Sequence, residues 1–455
     1  MNTEFDKRIN YICIAVAVGG LLFGFDTAVI SGAISFVKTQ FSLNTIAEGW
    51  LVSSGLLGCI IGVFTTGLIS DRIGRKKTVV IAGVMFLLSG IGCAFTSSFN
   101  LLVLFRLLGG VGVGMASVIS PMYISEFAPA AKRGRMVSYY QLAITLGILL
   151  AYFSNALVLW GSEKVGVSNM LLTEPWRAMF LIMTVPSVLF LAMLLKVPES
   201  PRWLISVNRK KEANSIMHTV RTPTEADAEL QAIEQAKTKA VGQSQSVFNP
   251  ALRLPLLIGI VLAVLQQFSG INAIIYYGPS IFQSAGIESS NALIFQVIIG
   301  VINVLFTIVA IKYADKWGRR FLLKTGLTGI ILSLLLCGFL FYTNSTQHLL
   351  LLVLMLVYIA CFAFSLGPVT WIIINEIFPT AVRVKAVTIC TMALWIAVWL
   401  VGQFFPWLLE KVGAGVTFWV FAAFSISNLV FSLTVLKETK GKSLEEMDVM
   451  FVAPH

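Results

Sequence analysis

Twelve long apolar runs, bounded by charges or turn residues, constrain what this chain can fold into. Their approximate limits are 9–37, 50–70, 78–97, 101–124, 137–159, 178–196, 254–284, 291–311, 321–343, 349–375, 384–409 and 415–436. Each is long enough to cross about 30 Å of hydrocarbon as an α-helix. Open strands are excluded at that depth, because no water is present to satisfy their backbone groups. Composition agrees: 57% of the 455 residues are hydrophobic and 12% are charged, against about 25% charged in a soluble domain. A soluble enzyme, a nucleic-acid-binding protein and a disordered chain are excluded on that ground. The six cysteines, Cys13, Cys59, Cys93, Cys337, Cys361 and Cys390, stand singly in apolar runs with no metal-like spacing. They are expected to be small buried hydrophobes, and no metal or other cofactor is expected.

The first run is too long for a signal-peptide core and lacks a small-residue cleavage site, so it is expected to be a retained span. Lys and Arg set the orientation. With both termini cytoplasmic, only Lys38, Lys164, Arg177 and Lys411 fall outside and Arg106 lies within a run; the other 28 of 33 face the cytoplasm. Topology therefore accounts for the formal net charge of +11. The expected location is the cell (plasma or inner) membrane. Glycine, 36 residues in all and frequent in the runs, suits close helix packing in lipid. One long polar stretch, about 200–250, contains Arg209-Lys210-Lys211 and then Thr222-Pro223-Thr224-Glu225-Ala226-Asp227. Thr224 with Asp227 predicts a capping box opening a short helix through about Lys239. The expected organisation is a six-helix bundle over 1–199, a cytoplasmic helical linker over 200–250, a second six-helix bundle over 251–440 and a cytoplasmic tail over 441–455.

The two halves repeat each other. Asp71, Arg72, Gly74, Arg75, Lys76 and Lys77 follow the second run; Asp315, Lys316, Gly318, Arg319 and Arg320 follow the eighth, 244 residues later. Glu126, Pro129 and Arg133 follow the fourth run, and Glu376, Pro379 and Arg383 reproduce that spacing after the tenth, 250 residues later. Two motif pairs at nearly one offset, each in the equivalent loop, mark a duplicated 6+6 bundle.

Further motifs are more specific. Pro198-Glu199-Ser200-Pro201-Arg202-Trp203 follows the sixth run, and Gln266-Gln267 with Gly270 and Asn272 lies in the seventh. Gly367-Pro368 with Trp371 lies in the tenth, and Glu438 with Gly441 follows the twelfth. With the Asp71–Lys77 loop, these residues make the chain resemble the sugar porter family of the major facilitator superfamily over essentially its whole length. That family includes bacterial sugar–proton symporters and facilitative glucose transporters. The last motif usually begins with proline where this chain has Lys437, a change with no expected functional consequence. The resemblance implies an all-α integral membrane protein of twelve transmembrane helices in two pseudo-symmetric halves. It also implies transport of a monosaccharide, hexose or pentose, by alternating access.

The loop charges read as latches. Asp71 and Glu126 stand at cytoplasmic helix ends with Arg72, Arg75, Arg133 and Arg383, and carboxylate–guanidinium pairs are geometrically specific. If such pairs bridge the halves only when the cytoplasmic side is closed, they bias the outward-facing state. The alternative is charge that sets topology alone. The resemblance implies an inter-half network and extends it to Glu199, Arg319 and Glu376.

The pore candidates are uncharged polar residues in apolar helices: Gln266, Gln267 and Asn272 in the seventh run, Gln141 in the fifth, Asn303 in the eighth and Trp371 in the tenth. Gly270 and Pro279 permit a broken helix, which lines cavities in such transporters. Carboxamides offer both donors and acceptors, as a sugar hydroxyl requires, and an indole face packs on the apolar face of a sugar ring. Single amides in membrane helices can instead join helices. The resemblance implies that these positions, with Trp395, contact the sugar. Many relatives carry Asn or Gln just before that tryptophan, whereas this chain has Leu394, and Val398 stands where a further Asn is common. One or two sugar hydrogen bonds are therefore missing or supplied elsewhere. Tyr276 and Tyr277 suit either an outer gate or interfacial packing.

Asp26 lies in the first run, where a carboxylate is costly unless paired or protonated. Arg106 in the fourth run is the obvious cationic partner. Burial favours the neutral acid and a nearby guanidinium favours the carboxylate, so a change in their separation would load and release a proton. The alternative is a permanent buried ion pair. Proton-coupled relatives carry Asp here and facilitative ones usually Asn, so the resemblance implies proton symport. A facilitative uniporter and a transporter-like sugar sensor are the rivals; the sensor lacks a long signalling tail after 415–436. An enzyme is not expected, since His218, His348 and His455 lie in loops or at the terminus. The expected partners are a monosaccharide, a proton and the lipid bilayer, with no nucleic acid; a monomer is compatible with the sequence.

Overall fold

The computed structural model describes residues 3–129, 132–164, 173–240, 247–344, 347–378 and 382–436. Pro379, Lys437, the Glu438–Gly441 motif, the 441–455 tail, and the side chains of Arg133, Lys164 and Asp315 lie outside the described residues. Apart from 3₁₀ geometry at Lys132 and at Pro250–Leu252, the regular structure among the described residues is α-helical. Twelve helical segments among these residues are long and apolar enough to cross a membrane.

The first five spans are single helices, α1 (Thr3–Gln40), α2 (Thr45–Ile73), α3 (Arg75–Phe95), α4 (Phe99–Phe127) and α5 (Arg133–Lys164). The sixth consists of α6 (Pro175–Ile182) and α7 (Thr184–Leu194); Pro186 has no N–H to bond the Ile182 carbonyl, so the helix stops there. After the linker helices α8 (Pro201–Ser206), α9 (Lys210–Val220) and α10 (Pro223–Ala240), the seventh span is again divided, into α11 (Arg253–Phe268) and α12 (Ile271–Ser284). Gly270 makes that break. Its φ of +91° is left-handed, and a Cβ there would lie 2.6 Å from Phe421 Cδ2, so glycine is required on two counts. The remaining helices are α13 (Ser289–Trp317), α14 (Arg319–Tyr342), α15 (His348–Phe364), α16 (Leu366–Glu376), α17 (Arg383–Lys411) and α18 (Ala414–Thr434). Ser365, at φ −120° and ψ −87°, separates α15 from α16 within the tenth span. Pro368 cannot donate to Phe364, which again removes the bond that would continue the helix.

The linker differs from expectation at one point. The helix start is capped by Thr222 and Glu225, not by Thr224 and Asp227: the Thr222 amide and hydroxyl donate to Glu225 Oε2 at 3.2 and 2.7 Å. Pro223 occupies the first helical position, where its fixed φ helps and its missing N–H is not needed, so α10 opens two residues early. The hydroxyl and amide of Thr222 hold the Glu225 carboxyl below the usual carboxylate range. The linker has its own small core, with Trp203, Leu204, Ile205 and Ala213 buried against Ile216, Leu230 and Ile233.

The chain falls into two compact units. The first comprises Met1–Thr27, Leu57–Ala151 and Arg177–Ser244; the second comprises Ala28–Leu56, Tyr152–Trp176 and Gln245–His455. Within the first unit, α2 and α4 cross on glycines. A Cβ at Gly58, Gly62 or Gly114 would lie 2.2–2.3 Å from a main-chain carbonyl oxygen of the facing helix. Such close backbone approach supplies van der Waals packing where lipid removes the hydrophobic driving force. Gly67 in α2 has no neighbour within 4 Å. Gly114→Val is therefore expected to lower thermal stability in detergent by about 1–3 kcal/mol, whereas Gly67→Ala stays within about 1 kcal/mol of the parent. Equal melting temperatures for the two variants would contradict the glycine crossing.

Candidate functional site

In the second unit, the carboxamides of the divided seventh span form a series. Asn272 Nδ2 donates to Gln267 Oε1 at 2.6 Å, Gln267 Nε2 to Gln266 Oε1 at 3.3 Å, and Gln266 Nε2 to the Leu366 carbonyl at 2.7 Å. The helix break places them. Gln266 and Gln267 end α11 and Asn272 begins α12, so the left-handed Gly270 turns Asn272 back toward Gln267. Gln266 and Gln267 are buried and Asn272 is half-buried. Asn303 and Trp371 are half-buried, with no side-chain hydrogen bond to the series; Trp395 is buried in α17. Leu394 and Val398 are buried on the same helix and add no polar group. Tyr277 is buried and donates to the Gly402 carbonyl at 2.7 Å, its ring 5.1 Å from that of Phe405. Tyr276 beside it is also buried.

Three polar groups of this unit escaped the sequence reading. Gln296 of α13, fully buried, donates to the Ile274 carbonyl at 3.1 Å, next to the Ile275 carbonyl that accepts from Tyr152 at 3.1 Å. Gln403 of α17 accepts from Ser53 Oγ at 2.5 Å and donates to the Ile46 carbonyl at 3.2 Å. Tyr358 of α15 donates to the Ser269 carbonyl at 3.0 Å. Gln296 and Gln403 carried the same signal as Asn303, an amide in an apolar run, but belong to no motif.

The first unit holds the membrane-embedded charges. Arg106 Nη1 donates to Asp26 Oδ1 at 3.0 Å and to the Asp26 carbonyl at 3.3 Å, and both residues are 3% exposed. The guanidinium lies 5.8 Å over the Phe180 ring. Removing either partner would strand a charge in an apolar setting. Gln141 of the same unit is half-buried. Among the described residues, no group of three or more His, Cys, Asp or Glu side chains is placed to hold a metal ion.

Several of the loop charges pair with residues of the same unit. Arg75 reaches Glu126 Oε1 at 3.2 Å through Nε, and Asp71 Oδ1 at 3.0 Å through Nη1. Glu199 sits on the N-terminus of α3, accepting the main-chain amides of Arg75 at 2.9 Å and Lys76 at 3.1 Å, and that of Ser200 at 2.8 Å. A carboxylate there meets both free N–H groups and the positive end of the helix. Trp203 Nε1 donates to the Asp71 carbonyl at 2.9 Å. Arg72 is exposed. In the second unit, Arg319 Nη2 donates to Glu376 Oε1 at 2.9 Å and Arg383 Nε to the Phe378 carbonyl at 3.1 Å. Arg221, missed among the many basic residues of the linker, is buried and ties it to α4 through the Phe127 carbonyl at 2.9 Å.

Residues 12–451 match the sugar (and other) transporter family. The arabinose-proton symporter of Bacillus subtilis is 41% identical, over 97% of this chain and 94% of its own length. The D-xylose-proton symporter of Escherichia coli is 37% identical over 99% and 97%. A partially occluded inward-open structure of the E. coli xylose transporter XylE superposes with a TM-score of 0.84, at 36% identity, over 96% of this chain and 99% of that one. The chain is a sugar porter of the major facilitator superfamily. It is accordingly a multi-pass membrane protein with the twelve-helix fold of that superfamily.

In this sugar porter, Glu199 satisfies three main-chain donors from two segments far apart in sequence. Glu199→Ala is expected to cost about 1–3 kcal/mol, the usual penalty for stranding such donors, and thermal unfolding measures it. Asp71→Ala, removing an exposed partner of Arg75, should cost under about 1 kcal/mol.

Proposed function

We propose that this sugar porter carries a monosaccharide, hexose or pentose, inward with a proton by alternating access across the cell membrane, its termini cytoplasmic. The observation that carries the reading is the Asp26–Arg106 pair, 3.0 Å apart and buried within the spans. A titratable pair at that depth is costly to keep and is the expected site for loading a proton. Its separation sets whether Asp26 holds the proton, so a conformational step that alters it links proton and sugar. Relatives named as arabinose-proton and D-xylose-proton symporters support the same reading. The driving force is sufficient: about 2.3 kcal/mol per charge at 100 mV and about 1.4 kcal/mol per pH unit together sustain a sugar gradient of roughly 500-fold.

The carboxamide series is the proposed sugar site, with Gln141, Asn303, Trp371 and Trp395 as further contacts. Its amides satisfy one another, and a hydroxyl, both donor and acceptor, can insert between them. Tyr276 and Tyr277 are proposed to gate it. The paired charges Arg75–Glu126 and Arg319–Glu376, with Asp71, Arg72, Arg133, Glu199 and Arg383, are proposed as the cytoplasmic latch, which biases the outward-facing state.

Asn272→Ala or Gln267→Ala is expected to weaken sugar binding about 5- to 150-fold, which corresponds to about 1–3 kcal/mol for a buried hydrogen bond lost. Calorimetry on the monodisperse variants measures it, and unchanged affinity would move the site elsewhere. Asp26→Asn keeps the side-chain shape without the titration. It should abolish accumulation against a gradient in proteoliposomes while sugar–sugar exchange survives. A parent protein that equilibrates sugar yet never concentrates it under an imposed proton gradient would be a facilitator.

A further inference from the structure

The two main-chain breaks in the seventh and tenth spans are fastened to each other by a pair of buried hydrogen bonds. Gln266, in the last turn of α11, donates to the carbonyl of Leu366, the first residue of α16, at 2.7 Å. Tyr358, in α15, donates to the carbonyl of Ser269, between α11 and α12, at 3.0 Å. One bond joins the segment before the first break to the segment after the second. The other joins the first break to the segment before the second. Tyr358 and Ser269 are 0% exposed, so water does not compete for either group. Neither helix can change its bend without straining a bond that holds the other.

We propose that Tyr358 is a positioning residue for transport, a clasp that makes the two breaks bend as one joint. The proposal rests on the sugar-transport reading and deepens it. The series Asn272, Gln267, Gln266 ends on Leu366, so a hydroxyl inserted between Asn272 and Gln267 is registered at the tenth-span break. Tyr358 then commits the seventh-span break to the same movement. Sequence alone does not reveal this, because a tyrosine in an apolar run resembles any other core aromatic.

Tyr358→Phe keeps the ring and its volume and removes only the hydroxyl. Tyr342→Phe is its control, because it removes the same hydroxyl from an exposed tyrosine at the end of α14, whereas Ser269→Ala would also remove the hydroxyl that donates to the Gln266 carbonyl at 2.6 Å and lies 3.5 Å from the Tyr358 hydroxyl. Hydrogen exchange on the full chain in nanodiscs requires no sugar. Tyr358→Phe should speed amide exchange at both 267–273 and 362–369 by about 3- to 20-fold, the range for one interhelical bond in a membrane, and Tyr342→Phe should leave both within about twofold. Acceleration at one break alone, or at neither, overturns the clasp. In proteoliposomes, Tyr358→Phe should bind sugar with parental affinity and move it at least about threefold more slowly. Parental transport, or an equal loss of binding, overturns the positioning role. A parent protein that moves no monosaccharide overturns the transport reading instead, and the exchange measurement still decides the clasp.

Discussion

Every backbone and ionic group within the bilayer has to find its partner inside the protein, and the rest of the structure follows from that constraint. It forces the spans to be helical and makes each break in a helix a place where polar groups collect. The tenth-span break presents the Leu366 carbonyl to Gln266, and the seventh-span break presents the Ser269 carbonyl to Tyr358. Arg106 answers the same demand through Nη1, which takes both the carboxylate and the carbonyl of Asp26. A site for a polar solute arises where the chain departs from a regular helix, since only there are donors and acceptors left over.

The spans were legible in the sequence because lipid imposes one length and one composition on each. The division at Gly270 was legible too, glycine being the residue that tolerates the left-handed turn found there. The division at Ser365 was not: Gly367 and Pro368 stand out only as motif residues, and the effect of the proline on Phe364 lies four positions upstream. In the linker, Thr222 and Thr224 both head an acceptable capping pattern, and only the helical start at Pro223 decides between them.

The candidate site was legible in part. Gln266, Gln267 and Asn272 stand within one short motif, so their joining required only the local break. Gln403 and Arg221 engage residues far away in the chain, Ser53 and Phe127 respectively, and no local pattern marks either partner. The latch charges were legible as charges, but their pairing was not. Loop position does not say whether Arg75 turns to Glu126 and Asp71 of its own unit or to a carboxylate elsewhere.

The seat of Glu199 on the start of α3 has a consequence for biogenesis. The amides of Arg75 are made 124 residues before the carboxylate that caps them. As the nascent chain emerges, the third helix is made with that end uncapped, and stays so through synthesis of the next three spans. The Pro198–Trp203 segment can close that end only after the sixth helix has been made, so the cap on the third helix is a late event of synthesis.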